Sequence, residues 1–559
     1  MSRKRFCLLT IALAVCVLCG GTILARQAQT EPYDKVIDAL VDREDQIVAS
    51  LASFSPMVET YMQHLARDKE LGEVPSSDRY FLTKLTAGKD RKGQSMAAPR
   101  GLLSRVASSL SNIYGVRYDR MGLVDMILID EEGFTRAKYD FRFVRKEFLG
   151  DVRCLVFDVQ PKTQKSKKGF SGRIWVEDAA NHIVRFNGIK GRSESNTLYF
   201  HVDSWRQNME GLWLPVYVYS EESNLEYGPV GSLNFKAQTR LWGYNLDRPQ
   251  REDERTSLVV ESDQIRDRAN GADIADSPVL GARAWERQAE DNVLERMQKA
   301  GLLAAEGEVD AVLKTVATNL EITNNLTFDP PLRARVMLTS PMESFTIGHT
   351  LVMSRGLLDV LPDEASLATV IAHEVAHIAL GHRLDTRYAF HDRMLFEDHD
   401  AFTKLLLKRT EPEERAADTK ALELLSNSPY KDKLDNAGLF LKAVQKRAKQ
   451  LPNLLSPHMG NRIVQGKDVV RMSALAQGAP QLEMNRVDQI AALPLGSRVR
   501  VDPWNATITL VKSKPVALAG PREKMPFEIT PLFPYLSRPG SKAPEALAVA
   551  EPEPRPATP

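Results

Sequence analysis

Hydrophobic positions recur with a helical period near the start of the chain. Val36, Ile37, Leu40, Ile47, Val48, Leu51 and Phe54 return at helical spacing among charged residues, which predicts an amphipathic packing helix over 31–68. From about 120 the pattern changes. Val152, Cys154 and Val156 alternate with more polar positions. Ile174-Trp175-Val176, a turn at Asp178–Asn181 and Ile183–Phe186 read as a hairpin. Tyr199–Val202, a turn at Glu210-Gly211 and Leu214–Tyr219 read as another, and Leu233–Trp242 continues the series. Strands at this spacing predict one curved antiparallel sheet. Residues 285–480 then read mostly as helices, with strands near 334–338 and 345–353, and 497–512 reads as a short hairpin.

These readings give an α+β multidomain chain: an antiparallel accessory sheet domain, then a mainly helical domain with a small sheet. The expected order is a targeting segment at 1–25, a helical segment at 31–119 and the sheet domain at 120–249. A charged, turn-rich linker at 250–284 carries Asn270-Gly271 and Ser277-Pro278. The helical domain spans 285–480, an extension with the hairpin follows at 481–537, and 538–559 is a Pro-, Ala- and Glu-rich tail expected to be disordered. The run of amphipathic hairpins resembles the half-barrel of bacterial lipoprotein-carrier domains, which implies a concave face suited to an acyl chain or a peptide. An ordinary accessory β-domain is the alternative.

Composition narrows the function. The chain has 559 residues, 43% hydrophobic and 26% charged, close to a soluble globular average. Lys+Arg is 74 and Asp+Glu is 73, so the net charge is +1, and no global field draws nucleic acid. Three of the 4 Cys (Cys7, Cys16, Cys19) precede residue 20, which leaves Cys154 alone in the body and excludes an intrachain disulfide or a thiolate metal cage there. Arg3, Lys4 and Arg5 followed by an apolar run to Leu24 and a small residue, Ala25, form a secretory signal, with an uncut N-terminal anchor as the rival. The body is expected in the periplasm or cell envelope. The basic loop Lys162–Gly169 reads as a solvated loop tip.

The chemistry sits at 367–382, where His373-Glu374-Val375-Ala376-His377 matches H-E-x-x-H. Asp363 can cap a helix here and Gly381 can end it. Histidines four apart project from one helix face, so both can approach one Zn²⁺ at about 2.0–2.1 Å. Glu374, beside the first of them, can take a proton from bound water without being a ligand. A catalytic zinc needs a third protein ligand. Candidates downstream are His391, His399 and the acids of 411–425. Among these acids Glu414 has Asp418 four residues on, on the same helix face, which suits a ligand beside a group that fixes a metal-bound His.

These residues resemble the gluzincin peptidases of the HtpX and CAAX-prenyl-protease type, in their soluble exported branch. The resemblance rests on His373–His382, on Ser354–Leu361 and on Glu414–Asp418, and covers roughly 285–475. It implies a zincin-like fold, one Zn²⁺ per chain on His373, His377 and Glu414, Glu374 as general base, and Asp418 orienting a ligand. It also implies that Phe345–Ser354 lines the cleft and pairs with a substrate held as an extended strand. The family's His-Pro followed by Arg-Ile is replaced here by Ser456-Pro457-His458-Met459-Gly460-Asn461-Arg462-Ile463. His458 is the candidate catalytic residue and, with Arg462, the candidate oxyanion donor. His382, five residues past His377, is expected to be structural; His349 faces either the cleft or the core.

The function expected is that of a zinc-dependent metalloendopeptidase of the cell envelope, acting on unfolded or misassembled exported proteins. The alternative is an exported peptide- or lipid-binding, chaperone-like protein with a zinc site and little proteolysis. The N-terminal segment allows membrane association, and nothing points to nucleic acid.

Overall fold

The computed structural model describes residues 31–51, 54–69, 71–85, 93–95, 123–130, 133–162, 169–191, 199–209, 211–226, 232–244, 278–389, 396–397, 400–483, 486, 489, 495–511, 525–532 and 534–538. Helix α1 (Glu31–Leu51) precedes a ten-stranded sheet. Its strands are β1 (Met57–Asp68), β2 (Gly72–Leu85), β3 (Gly93–Ser95), β4 (Tyr139–Leu149), β5 (Val152–Pro161), β6 (Phe170–Glu177), β7 (Ile183–Gly191), β8 (Tyr199–Met209), β9 (Leu212–Glu226) and β10 (Ser232–Trp242). The order is β3-β2-β1-β10-β9-β8-β7-β6-β5-β4, antiparallel throughout.

The helix expected over 31–68 ends at Leu51, and the segment 31–119 is not uniformly helical: Met57–Asp68 and Gly72–Leu85 are strands. The reason lies in what covers β1. Val58 and Met62 pack with Ile37, Leu40, Ile47 and Leu51 of α1 on one face, while Met57 and Tyr61 join the helical half's core on the other. A strand covered on both faces loses the polar alternation that marks a half-buried one.

The second half contains α2 (Pro278–Lys299), α3 (Glu308–Thr323), β11 (Arg333–Met337), β12 (Ser344–Ile347), β13 (Thr350–Ser354) and α4 (Arg355–Val360). It continues with α5 (Glu364–Ala379), α6 (Glu411–Ser426), α7 (Leu434–Arg447) and α8 (Ser473–Gly478). Pro278 opens α2 inside the stretch read as linker, since a proline's fixed φ suits a helix's first turn as well as a loop. The single strand expected over 345–353 is a hairpin that turns at Gly348-His349. Buried residues continue on both sides of that turn, so the apolar run hides it. β13 lies between β11, parallel, and β12, antiparallel, which leaves β12 at the sheet's edge.

Near the C-terminus, Val499–Val501 and Ile508–Leu510 form the expected hairpin. Residues 525–532 and 534–538 then run back over the large sheet. Ile529 N donates to Gln63 Oε1 at 3.1 Å and Asp151 N to the Leu536 carbonyl at 3.0 Å. Among the described residues no helix is long and apolar enough to cross a membrane. The targeting segment, most of the basic loop after Lys162, His391, His399 and the Pro-rich tail from 539 lie outside the described residues.

Candidate metal centre

Helix α5 begins at Asp363, whose carboxylate accepts the Ser366 amide at 2.8 Å. Its Ala365, Ala368, Ala372 and Ala376 are buried, which lets α5 pack closely with α6 and α7. In this interior lie His373, 0% exposed, with Glu374 and His377 at 1%. Nothing buries three such groups without partners. The two imidazoles aim their Nε2 atoms at one point, 3.1 Å apart. Glu414 of α6 closes the triangle, with Oε2 at 3.3 Å from His373 Nε2 and Oε1 at 3.4 Å from His377 Nε2. One ligand atom from each of His373, His377 and Glu414 lies within 4.8 Å of the others. Two neutral imidazoles and a carboxylate are a donor set suited to a divalent transition ion, so the residues present fit the zinc implied by the motif.

Both Nδ1 atoms point outward and are held. His373 Nδ1 pairs with Asp418 Oδ1 at 2.8 Å, and Asp418 Oδ2 accepts the Met472 amide at 2.8 Å. His377 Nδ1 pairs with His382 Nδ1 at 2.8 Å. Five residues would carry His382 off the ligand face, but α5 ends before it. Gly381 adopts φ +70°, Gly381 N donates to the Ile378 carbonyl and His382 N to that of His377, a Schellman turn that folds the chain back. His382 therefore holds the His377 ring, a contact its spacing conceals.

Glu374 is held from two elements. Ser344 Oγ of β12 donates to its Oε1 at 2.8 Å, and Arg471 Nη1 donates to the same oxygen at 3.0 Å. Arg471 Nη1 also donates to Ser344 Oγ at 2.7 Å, and its Nε lies 3.5 Å from Glu414 Oε2. Burial opposes charge on Glu414, yet the bonds from His373 and His377 and the Arg471 charge hold its carboxyl well below the usual range. Burial and Arg471 oppose protonation of His373; its bonds to Asp418 and Glu414 prevail and raise it. Burial, then the neighbouring His377, lowers His382.

The site residues expected from the sequence are thus placed as follows. His373, Glu374, His377, Glu414 and Asp418 come together. His458 does not join them. Its amide donates to Glu343 at 2.7 Å and its ring stacks on Phe402 with centroids 4.1 Å apart, because Glu343 draws the 458–459 backbone to itself. Arg462 is exposed, and the arginine that reaches the centre is Arg471. His349 turns away, with Nδ1 at 2.5 Å from the Pro330 carbonyl. Sequence reasoning missed Ser344 and Arg471. Neither lies in a spaced motif, and only the fold brings them to α5.

Among curated proteins no match is found. Among solved structures, the chain is similar to a LolA superfamily protein from Nitrosomonas europaea at 11% identity. That match covers 38% of this chain and 96% of that one, with a TM-score of 0.19. A DUF1329 family protein from Desulfovibrio piger shares 11% identity over 40% of this chain and 98% of its own, with a TM-score of 0.16. Likenesses this distant carry no argument about activity. Peptidase family M48 matches residues 304–396, a span that runs through β11–β13 and α4 and contains His373, Glu374 and His377. Residues 304–396 are thus similar to peptidase family M48, in agreement with the resemblance drawn from the HExxH motif, while Glu414 and Asp418 lie beyond the matched span.

Proposed function

We propose that this chain is a zinc-dependent endopeptidase of the cell envelope that cleaves unfolded or misassembled exported proteins. The observation that carries this reading is the convergence of two buried imidazoles and the Glu414 carboxylate beside Glu374. A Zn²⁺ held there would supply a Lewis acid and a water of lowered pKa. Glu374 takes the proton from the attacking water and passes it to the leaving amine. Ser344 and Arg471 hold its Oε1, so the other oxygen is the one free to move a proton. Asp418 and His382 fix the two imidazole rings with each Nε2 aimed inward, where it would meet the metal. Arg471, already between Glu374 and Glu414, is the cation nearest to where negative charge develops on the substrate carbonyl. β12, at the sheet's edge, is the strand beside which an extended peptide would lie. The apolar segment after Arg3-Lys4-Arg5 supports export.

Glu374→Gln tests this. With zinc retained, cleavage of an unfolded protein such as casein should fall by about 10²–10⁴-fold. Unchanged cleavage with zinc in place would remove Glu374, and with it this mechanism.

A further inference from the structure

Two carboxylates of the large sheet are buried inside the helical half. Asp78 of β2 is 5% exposed, and both its oxygens are used. Oδ1 accepts from Asn453 N and Asn453 Nδ2, each at 3.0 Å. Oδ2 accepts from Leu454 N at 2.7 Å and from the Tyr61 hydroxyl at 3.1 Å. A buried carboxylate is costly unless so bonded, and here three of the four donors are backbone and side chain of one loop of the other half, the fourth being Tyr61 of β1. The Leu454 carbonyl in turn accepts Met342 N at 2.7 Å. Two residues further on is Ser344, which holds Glu374. Glu343, between them, accepts His458 N and Met459 N at 2.7 and 2.9 Å, and its own amide donates to Ser354 Oγ at 2.9 Å. The other end of the same loop is fixed by Glu59 of β1. It accepts Ser340 N at 2.6 Å, Ser340 Oγ at 2.9 Å and Arg355 Nη2 at 2.7 Å. Gly356 presses on this loop: a Cβ there would stand 1.7 Å from the Ser340 carbonyl oxygen.

We propose that Asp78 is a positioning residue for Glu374, acting through the loops at 451–459 and 338–344, with Glu59 anchoring the second loop. The sheet is then part of the metal centre's scaffold. The path from Asp78 to Glu374 has three hydrogen bonds, from Leu454 N to Asp78, from Met342 N to the Leu454 carbonyl and from Ser344 Oγ to Glu374, and two residues of chain, about 7 Å of extended backbone, so it has little slack. A shift of about 1 Å at a catalytic group can cost about 10²-fold in rate. The inference rests on the peptidase reading of Glu374, and its test separates the two.

Asp78→Asn and, from the other side of the link, Asn453→Ala are compared with the wild-type chain, all zinc-loaded, by casein cleavage and by amide hydrogen exchange. Each variant should lose about 10–100-fold in kcat with KM changed less than about threefold. Exchange should quicken at 338–346 and 451–459, while α5 and β5–β9 keep their protection. Wild-type kcat in a variant that folds overturns the proposal, as does loss of protection spread evenly over the whole chain. If Asp78→Asn does not fold, Asn453→Ala decides alone. If the zinc-loaded wild type cleaves nothing, the peptidase reading fails. The exchange pattern then decides whether Asp78 orders the Ser344 loop.

Discussion

Glu374 keeps one carboxylate oxygen, Oε1, between two donors, Ser344 and Arg471. Arg471 reaches Glu374, Ser344 and Glu414 at once, through Nη1 and Nε. A lysine is a point charge and cannot make that fork. Arg471→Lys should therefore lower kcat by about 10–100-fold while the chain still takes up one zinc. An unchanged kcat would leave Arg471 as packing. The histidines and Glu374 were legible in the sequence because a helix turns a four-residue spacing into a shared face. Glu414 and Asp418 were legible for the same reason, one helix later. Arg471 was not, since it lies 97 residues beyond Glu374 and only the fold joins them. The bond of His382 to His377 was not legible, because the spacing argument assumes a continuing helix and Gly381 ends it.

Strands β4–β10 show the limit of pattern reading from the other direction. Their hairpins alternate, and the sheet between Tyr139 and Trp242 was legible. β1 and β2 were not, because both faces of β1 are covered and no alternation survives. β1 also carries a titratable group that the fold disfavours charging. Burial, then the charge of Arg79, pushes His64 down to about 4. The unfolded chain takes up that proton below about pH 6.5, where the folded chain does not. Stability from this residue is full above about pH 6.5 and falls as pH drops from there towards about 4. The loss is at most about 3.5 kcal/mol, at about 1.4 kcal/mol per unit. Urea unfolding at pH 7 and pH 4.5 checks it: His64→Gln should flatten this part of the slope. An equal slope in the variant would place the acid sensitivity elsewhere.

Across the whole molecule, one apolar core runs from Trp175, Trp205 and Trp213 of the sheet to Leu313, Val352 and Val375 of the helical half. At the seam Arg355, 1% exposed, bonds Glu59 on one side and Asp359 on the other. Breaking a buried pair of this kind costs about 3–5 kcal/mol, so the seam is not a hinge. The two halves should unfold together, as a single calorimetric transition whose enthalpy matches its van't Hoff value. Two separate transitions would show independent domains. The pairing of Glu59 with Ser340 and Arg355 was not legible, since these partners stand 281 and 296 positions apart and Glu59 reads as an ordinary surface charge. The division into a sheet and a helical part could be read from hydrophobic period alone; their fusion could not.

The most direct measurement is zinc bound per chain at neutral pH for the wild type, His377→Ala and Glu414→Ala. The arrangement of His373, His377 and Glu414 predicts one equivalent in the wild type, and a loss of affinity when either ligand is removed. A wild-type chain that binds no stoichiometric zinc, or a Glu414→Ala chain that binds it as tightly, would contradict the metal centre described.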